Sequence, residues 1–409
     1  MDIPTATKNK RFAMKIVFIT SKLNFKTAGG SIEELDLLMQ TLQNLGNDVK
    51  TVTAFSANNV IPEKRPYEVI EEQITSPRLL GIAWQLYKIL KKYEKMADIF
   101  HIDGHIFLYG AGLYKLLGGR VSVAAYFNYY LMCWEDTAIS LTPLPKENIF
   151  IRAKKKIRWL IEKYIGMPLA NRIDLFAFVS PNLKAVYEDF GLRRDPGTFV
   201  IGDLIDFQKI MRENGISEDF YLKRNKRAGP FLLFYSSRMI RGKGFDLLLH
   251  GFARVKNKEN FKMVLTGTGP EAETLKKMAK DLGIEKYVEF PGWVSWERLL
   301  QYNKEADIYI QTGWKPEGTS ISQLYAMAFG VPSILPGGGG LEWQARDTAI
   351  YVRNGDHDGL ARAIEKLAGD YGLRATLSRN CYKRIREDSM DYRKQIPIWN
   401  EKLWKLAKK

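Results

Sequence analysis

Between Ser237 and Gly244 the sequence reads Ser-Arg-Met-Ile-Arg-Gly-Lys-Gly. Arg238 and Lys243 there follow an apolar run of strand length, Phe231 to Ser237, and precede a helically spaced segment, Phe245 to Val255. A guanidinium and an ammonium between a strand end and a helix start can clamp a diphosphate, and fixed positive charge favours its departure as a leaving group. A merely basic surface loop is the plainer alternative. A second stretch, ADIYIQTGWKPEGTSISQLYAMAFGVPSILPGGGG (306–340), has the same logic. Its apolar run, Ala306 to Ile310, ends in a loop carrying Trp314, Pro316, Glu317 and Gly318, and a helically spaced segment follows until Gly330 and Pro332 stop it. Ligands of open α/β sheets sit beyond the carboxyl ends of strands, so Glu317 is placed to meet a polar ligand. The N–H groups of Gly318, Thr319 and Ser320 are expected to point outward at an anion or a sugar hydroxyl. The competing reading is a capped helix after a turn.

These loops need sheets to carry them, and 409 residues with a 45% hydrophobic fraction suffice for two domains. Strand-like and helical runs alternate: Met14 to Thr20, Ile32 to Leu45, Val49 to Phe55, Arg78 to Glu94, Asp98 to Ile102, Val121 to Phe127, Asp174 to Val179 and Thr198 to Ile201. That alternation predicts a parallel sheet covered by helices. Gly29 and Gly30 lie between the first strand and its helix, where two glycines let a backbone approach a ligand closely and Ser31 can cap the helix. A tight turn needs glycine too, and that alternative stays open.

Formal net charge is +16, which calls for an anionic partner: nucleic acid, acidic lipid or a phosphorylated substrate. No nucleic-acid module is recognisable. Lys146 to Arg172 instead combines an apolar stripe (Ile149, Ile157, Leu160, Ile161, Ile165) with Arg152, Lys154, Lys155, Lys156, Arg158 and Lys163, and with Trp159 and Tyr164 at the edges. It reads either as an in-plane contact with an anionic membrane or as a helix docked on its own sheet. Cys133 and Cys381 form neither a disulfide framework nor a metal cluster, and no metal site or cofactor is expected. With no apolar run near membrane-spanning length and no apolar core in the first residues, the protein is expected in the cytoplasm or peripheral on the inner face of the membrane.

The run EGTSISQLYAMAFGVP resembles the donor-sugar loop of GT-B glycosyltransferases of family 4, with Glu317, Gly318, Ala326, Met327, Ala328, Gly330 and Pro332 matching in place. The family's second glutamate, which usually holds the ribose hydroxyls, falls on Tyr325. Ser237 to Gly244 resembles the family's Arg, four residues, Lys-Gly signature. The resemblance implies two Rossmann-like domains facing across a cleft, with a last helix crossing back to the first. The expected divisions are a loose tail (1–13), an acceptor-side domain (14–205), a nucleotide-sugar domain (206–385) and the crossing helix (386–409).

The implied activity is retaining transfer of a sugar from a nucleotide diphosphate donor to a glycan or lipid-linked acceptor in cell-surface polysaccharide or glycoconjugate synthesis. Arg238, Lys243 and Glu317 would be catalytic. Arg238, Lys243, Gly29 and Gly30 would hold the diphosphate; Glu317, Gly318, Thr319, Ser320 and Asn128 the donor sugar; and Tyr325, Trp293, Val294 and Gly267 the nucleotide. Phe127 stands where the family often has histidine, with His101 and His105 as candidate substitutes. The Gly337 to Gly340 run with Glu342 resembles another family loop. Trp399, Leu403, Trp404 and Leu406 would form the buried stripe of the last helix or a second membrane contact. A sugar-nucleotide epimerase and a non-catalytic sugar-nucleotide-binding subunit are the alternatives.

Overall fold

The computed structural model describes residues 13–26, 30–131, 141–142, 148–223, 229–313 and 318–408. Gly29 and Glu317, with Cys133, Trp314 and Pro316, lie outside the described residues.

Two sheets, parallel throughout, carry the chain. The first comprises β1 (Lys15–Thr20), β2 (Asp48–Thr53), β3 (Glu68–Glu71), β4 (Ile99–Asp103), β5 (Ser122–Phe127), β6 (Leu175–Phe178) and β7 (Phe199–Val200), in the order β3-β2-β1-β4-β5-β6-β7. The second comprises β8 (Phe231–Ser236), β9 (Phe261–Thr266), β10 (Val288–Gly292), β11 (Ile308–Ile310), β12 (Ser333–Pro336) and β13 (Ala349–Val352), in the order β10-β9-β8-β11-β12-β13. Helices cover both faces of such sheets, so their central strands are continuous apolar runs; Ile16, Val17, Phe18 and Ile19 of β1 are all buried. Strand order reverses between β1 and β4 and between β8 and β11, and in open α/β sheets ligands bind in the crevice beyond the carboxyl ends at such reversals.

The hydrophobic cores divide at Leu204 and Ile205. The first core runs from Met14 to Leu204 and is completed by Ile396, Trp399, Leu403 and Leu406 of the last helix, Tyr392–Ala407. That helix therefore crosses back, with Trp404 partly buried at its edge. Direct contacts join the domains: Gly202 lies under the Trp343 ring, and the N–H groups of Leu141 and Thr142 donate to Asp246.

The basic segment is a helix over Ile149–Ile161, a π-helical turn over Glu162–Gly166 and a short helix over Met167–Ala170. No residue of Ile149–Ile161 is buried, so this stretch is not docked on its sheet. Asn148 caps it by accepting from the N–H of Ile151.

Candidate active site in the interdomain cleft

At the reversal of the second sheet, β8 leads through Ser237–Gly244 into the helix Phe245–Phe252. Backbones crowd here. Gly244 has φ +77° and a Cβ on it would come within 2.3 Å of the Gly313 nitrogen; one on Gly267, at φ +119°, would come within 1.9 Å of the Ser237 carbonyl oxygen. Only bare Cα atoms let the loops after β8, β9 and β11 stack this closely. Gly267 thus serves the packing that seats Arg238.

Arg238 is exposed and Lys243 half-buried, and neither side chain has a carboxylate partner among the described residues. Burial, with the Arg238 charge added, pushes the Lys243 ammonium down to about 8. Arg241 adds a third cation whose Nε and Nη1 are buried without a hydrogen-bond partner. An anion between these groups would relieve both the repulsion and the unmade hydrogen bonds.

The loop after β11 leads into the helix Ile321–Ala328. Ser320 caps this helix through its side chain, and its N–H donates to Gln344 Oε1 at 3.2 Å. The expectation of a free N–H at Ser320 is therefore corrected: a buried glutamine takes it. Thr319 lies near enough to Asp203, at the end of the first domain, to lower that carboxyl against burial. Tyr325 is buried, edge-on to Trp296, and its hydroxyl donates to Glu33 Oε2 at 2.9 Å, across the domain boundary. Trp293 is exposed and Val294 packs partly against the second core. Glu342 turns back on its own glycine loop, accepting from the Gly338 N–H.

At the reversal of the first sheet three polar side chains meet. Thr20 Oγ1 donates to Asp103 Oδ2 at 3.0 Å, and Asn128 Nδ2 donates to Asp103 Oδ1 at 3.1 Å. Burial raises Asp103 to about 6 against these two opposing hydrogen bonds. Beside it Tyr126 donates to Glu34 Oε1 at 2.7 Å, the Leu204 N–H reaches the same oxygen, and burial with the Asp203 carboxyl added holds Glu34 well above the usual carboxylate range, while burial raises Asp203 itself to about 6. Three protonatable carboxyls can exchange hydrogen bonds with sugar hydroxyls as donors or acceptors.

Phe127 points away from this crevice, stacked on Phe178 at 4.4 Å and edge-on to Tyr187 at 4.6 Å. Neither histidine replaces an imidazole in the cleft. His101 is buried against Phe18 and Trp399, and His105 is enclosed by Tyr109, Tyr187 and Glu162. Sequence reasoning missed Glu33, Glu34, Asp103 and Arg241. The only local signal for Asp103 is its place at the end of an apolar run; Glu33 lies in the first turn of its helix, where an acid is common for reasons unrelated to a ligand.

Residues 218–384 match the family model of the glycosyl transferases group 1. The second domain belongs to this family. The group 1 domain supplies the Arg238–Lys243 loop and the Ile321 helix. Among similar proteins are an uncharacterized glycosyltransferase of Methanocaldococcus jannaschii, 25% identical over 240 residues (58% of this chain, 59% of that protein), and the lipopolysaccharide core biosynthesis glycosyltransferase LpsE of Rhizobium meliloti, 30% identical over 151 residues (36% and 42%). The matches span roughly two fifths to three fifths of the length of the curated relatives. The structure of Anabaena HepE in complex with UDP superposes over 97% of this chain and 100% of that one, with TM-score 0.69 at 18% identity. That likeness shows the fold, GT-B, with the group 1 domain facing the first domain across the cleft.

Proposed function

We propose that the chain is a retaining glycosyltransferase that moves a sugar from a nucleoside diphosphate to a glycan or lipid-linked acceptor of cell-surface polysaccharide or glycoconjugate synthesis. The observation that carries this is the unpaired Arg238 and Lys243 at the strand-order reversal of the group 1 domain. In this reading both cations hold the diphosphate and stabilise the charge that grows on it as the glycosidic bond breaks. Gly29 and Gly30 approach the same diphosphate. Glu317, Gly318 and Thr319 hold the donor sugar, and Asn128 reaches it from the first domain through its pairing with Asp103. The acceptor hydroxyl attacks from the leaving-group face and its proton goes to the departing phosphate oxygen. Three cations already supply the positive charge, so the reaction is proposed to need no metal and no cofactor. Relatives named for lipopolysaccharide core biosynthesis, and one named a GDP-mannose-dependent phosphatidylinositol monomannoside mannosyltransferase, from Mycolicibacterium smegmatis, support a glycan or lipid acceptor.

Thermal unfolding with nucleoside diphosphates and nucleotide sugars of each base tests the clamp. A ligand at about a hundred times its Kd adds roughly 2.7 kcal/mol to the folded state. A shift for one base that Arg238→Ala abolishes supports the reading; no shift at millimolar ligand sinks it. Free sugar released without acceptor would favour an epimerase, and binding without turnover a binding subunit.

A second observation supports work at a membrane in this reading. The helix Ile149–Ile161 presents Ile149 at 76% and Phe150 at 79% exposure beside Arg152, Lys154, Lys155 and Lys156. Apolar side chains flanked by cations suit the headgroup region of an anionic bilayer. Among the described residues no helix is long and apolar enough to cross a membrane. The association proposed is peripheral, on the inner face.

A further inference from the structure

The helix Gly30–Asn44 of the first domain and the helix Ile321–Ala328 of the second touch at two points one turn apart. At the first, Gly30 lies so close to Ile321 that a Cβ would come within 2.3 Å of Ile321 Cγ2. At the second, the Tyr325 hydroxyl donates to Glu33 Oε2 at 2.9 Å, with the Tyr325 ring held edge-on by Trp296 at 4.8 Å. Spacings of three and four residues put both contacts on one face of each helix, so the carboxyl of Glu33 is fixed relative to the second domain although the first domain carries it.

Glu33 is half-buried, and among the described residues no ion pair to it is seen; Lys209 acts on it from beyond ion-pair distance. Tyr325 engages Oε2, while no hydrogen bond to Oε1 is seen among the described residues. A carboxylate has about four acceptor positions and the phenol uses one. What remains matches two adjacent hydroxyls. The position is one turn along the helix that follows Gly318, Thr319 and Ser320, beside the loop proposed to hold the donor.

We propose that Glu33, oriented by the Tyr325 hydroxyl, accepts the hydrogen bonds of a vicinal diol of the bound nucleotide sugar, so that both domains grip one ligand. This rests on the glycosyl-transfer reading. Diols of that kind occur on the nucleotide ribose and on the transferred sugar, and the two are separable by experiment.

The test is titration calorimetry of the full chain with UDP and GDP, their 2′,3′-dideoxy counterparts, and UDP-glucose and GDP-mannose, on wild type, Glu33→Gln and Tyr325→Phe. Charged hydrogen bonds to two hydroxyls predict a roughly 10- to 100-fold preference of wild type for the ribose form. Loss of most of that preference in Glu33→Gln supports the proposal with ribose as the source. If the ribose preference persists in Glu33→Gln but the advantage of the nucleotide sugar over its diphosphate collapses, the diol is on the transferred sugar. Tyr325→Phe keeps the ring against Trp296 and removes only the hydroxyl; it lowers the same ratio in the same direction. Both ratios unchanged in either folded variant overturn the proposal while leaving glycosyl transfer intact. A wild type that binds no nucleotide overturns both.

Discussion

The indole Nε1–H of Trp399 donates to His101 Nε2 over 3.2 Å, joining residues 298 positions apart. The same indole stacks on Phe199 of β7 and meets the imidazole edge-on, at 1% exposure. Burial pushes His101 down to about 3, so it stays neutral and free to accept this bond at physiological pH. The crossing helix is thus bolted to β4 of the first sheet by its largest buried side chain. Trp399→Ala should cost about 3–5 kcal/mol in urea unfolding, because a cavity replaces the indole and the imidazole loses its donor. A cost below about 1 kcal/mol would show that the last helix docks without it.

Lys243 gives the diphosphate clamp a pH signature. Its ammonium, lowered to about 8 by burial and by Arg238, is charged at pH 7 and largely neutral at pH 9. A bound anion favours the charged form, so above pH 8 binding must draw a proton from solvent. The Kd for a nucleoside diphosphate should then rise up to about tenfold per pH unit. Lys243→Arg, charged throughout, should lose that rise. Titration calorimetry at pH 7, 8 and 9 decides it, and a flat wild-type profile would remove Lys243 from the phosphate contact.

Asp103 predicts a pH effect on stability. Its carboxyl stands at about 6 in the fold against an ordinary 3.8, so between those values the folded chain binds more protons than the unfolded one. By linkage, the stability it contributes is fully present below about 3.8 and is lost as pH rises through 6. Asp103→Asn escapes this loss. Relative to wild type, the variant should therefore gain on the order of 1–3 kcal/mol between pH 5 and pH 7.5. Equal differences at both pH values in chemical unfolding would mean that Asp103 ionises in the fold as freely as in water.

Much of this frame is written locally in the chain. Buried parallel strands need unbroken apolar runs, and β1, β4, β5 and β8 show them. The Ser237–Gly244 turn is also local, since its glycines and its cations sit within eight consecutive residues. What escaped is pairwise and distant. Nothing near Glu33 announces that Tyr325 will meet it 292 residues later, and nothing near Asp103 announces Asn128 or Thr20. Short edge pieces also escape: Glu-Val-Ile-Glu of β3 is four residues with an acid at each end, and only pairing with β2 makes it a strand. Phe127 is a different case. Its type, an aromatic at a strand end, already favours the core, and Phe178 and Tyr187 hold it there.

The basic helix makes the last prediction. Ile149, Phe150 and Ile157 are each more than half exposed, so replacing all three with serine removes apolar contact without opening a cavity, and thermal stability should change by no more than about 0.5 kcal/mol. Vesicle binding should respond very differently. Wild type should sediment with vesicles containing anionic lipid and only weakly with neutral phosphatidylcholine, since each basic residue near the surface contributes about 1 kcal/mol. Raising salt to about 0.5 M should weaken the anionic binding as the Debye length shrinks. The triple serine variant should lose at least about tenfold in vesicle affinity while keeping its nucleotide affinity, because the three replaced side chains are exposed and the helix is remote in sequence from Arg238 and Lys243. Equal binding of wild type to neutral and anionic vesicles would refute the electrostatic half of the argument, and an unchanged triple variant the apolar half.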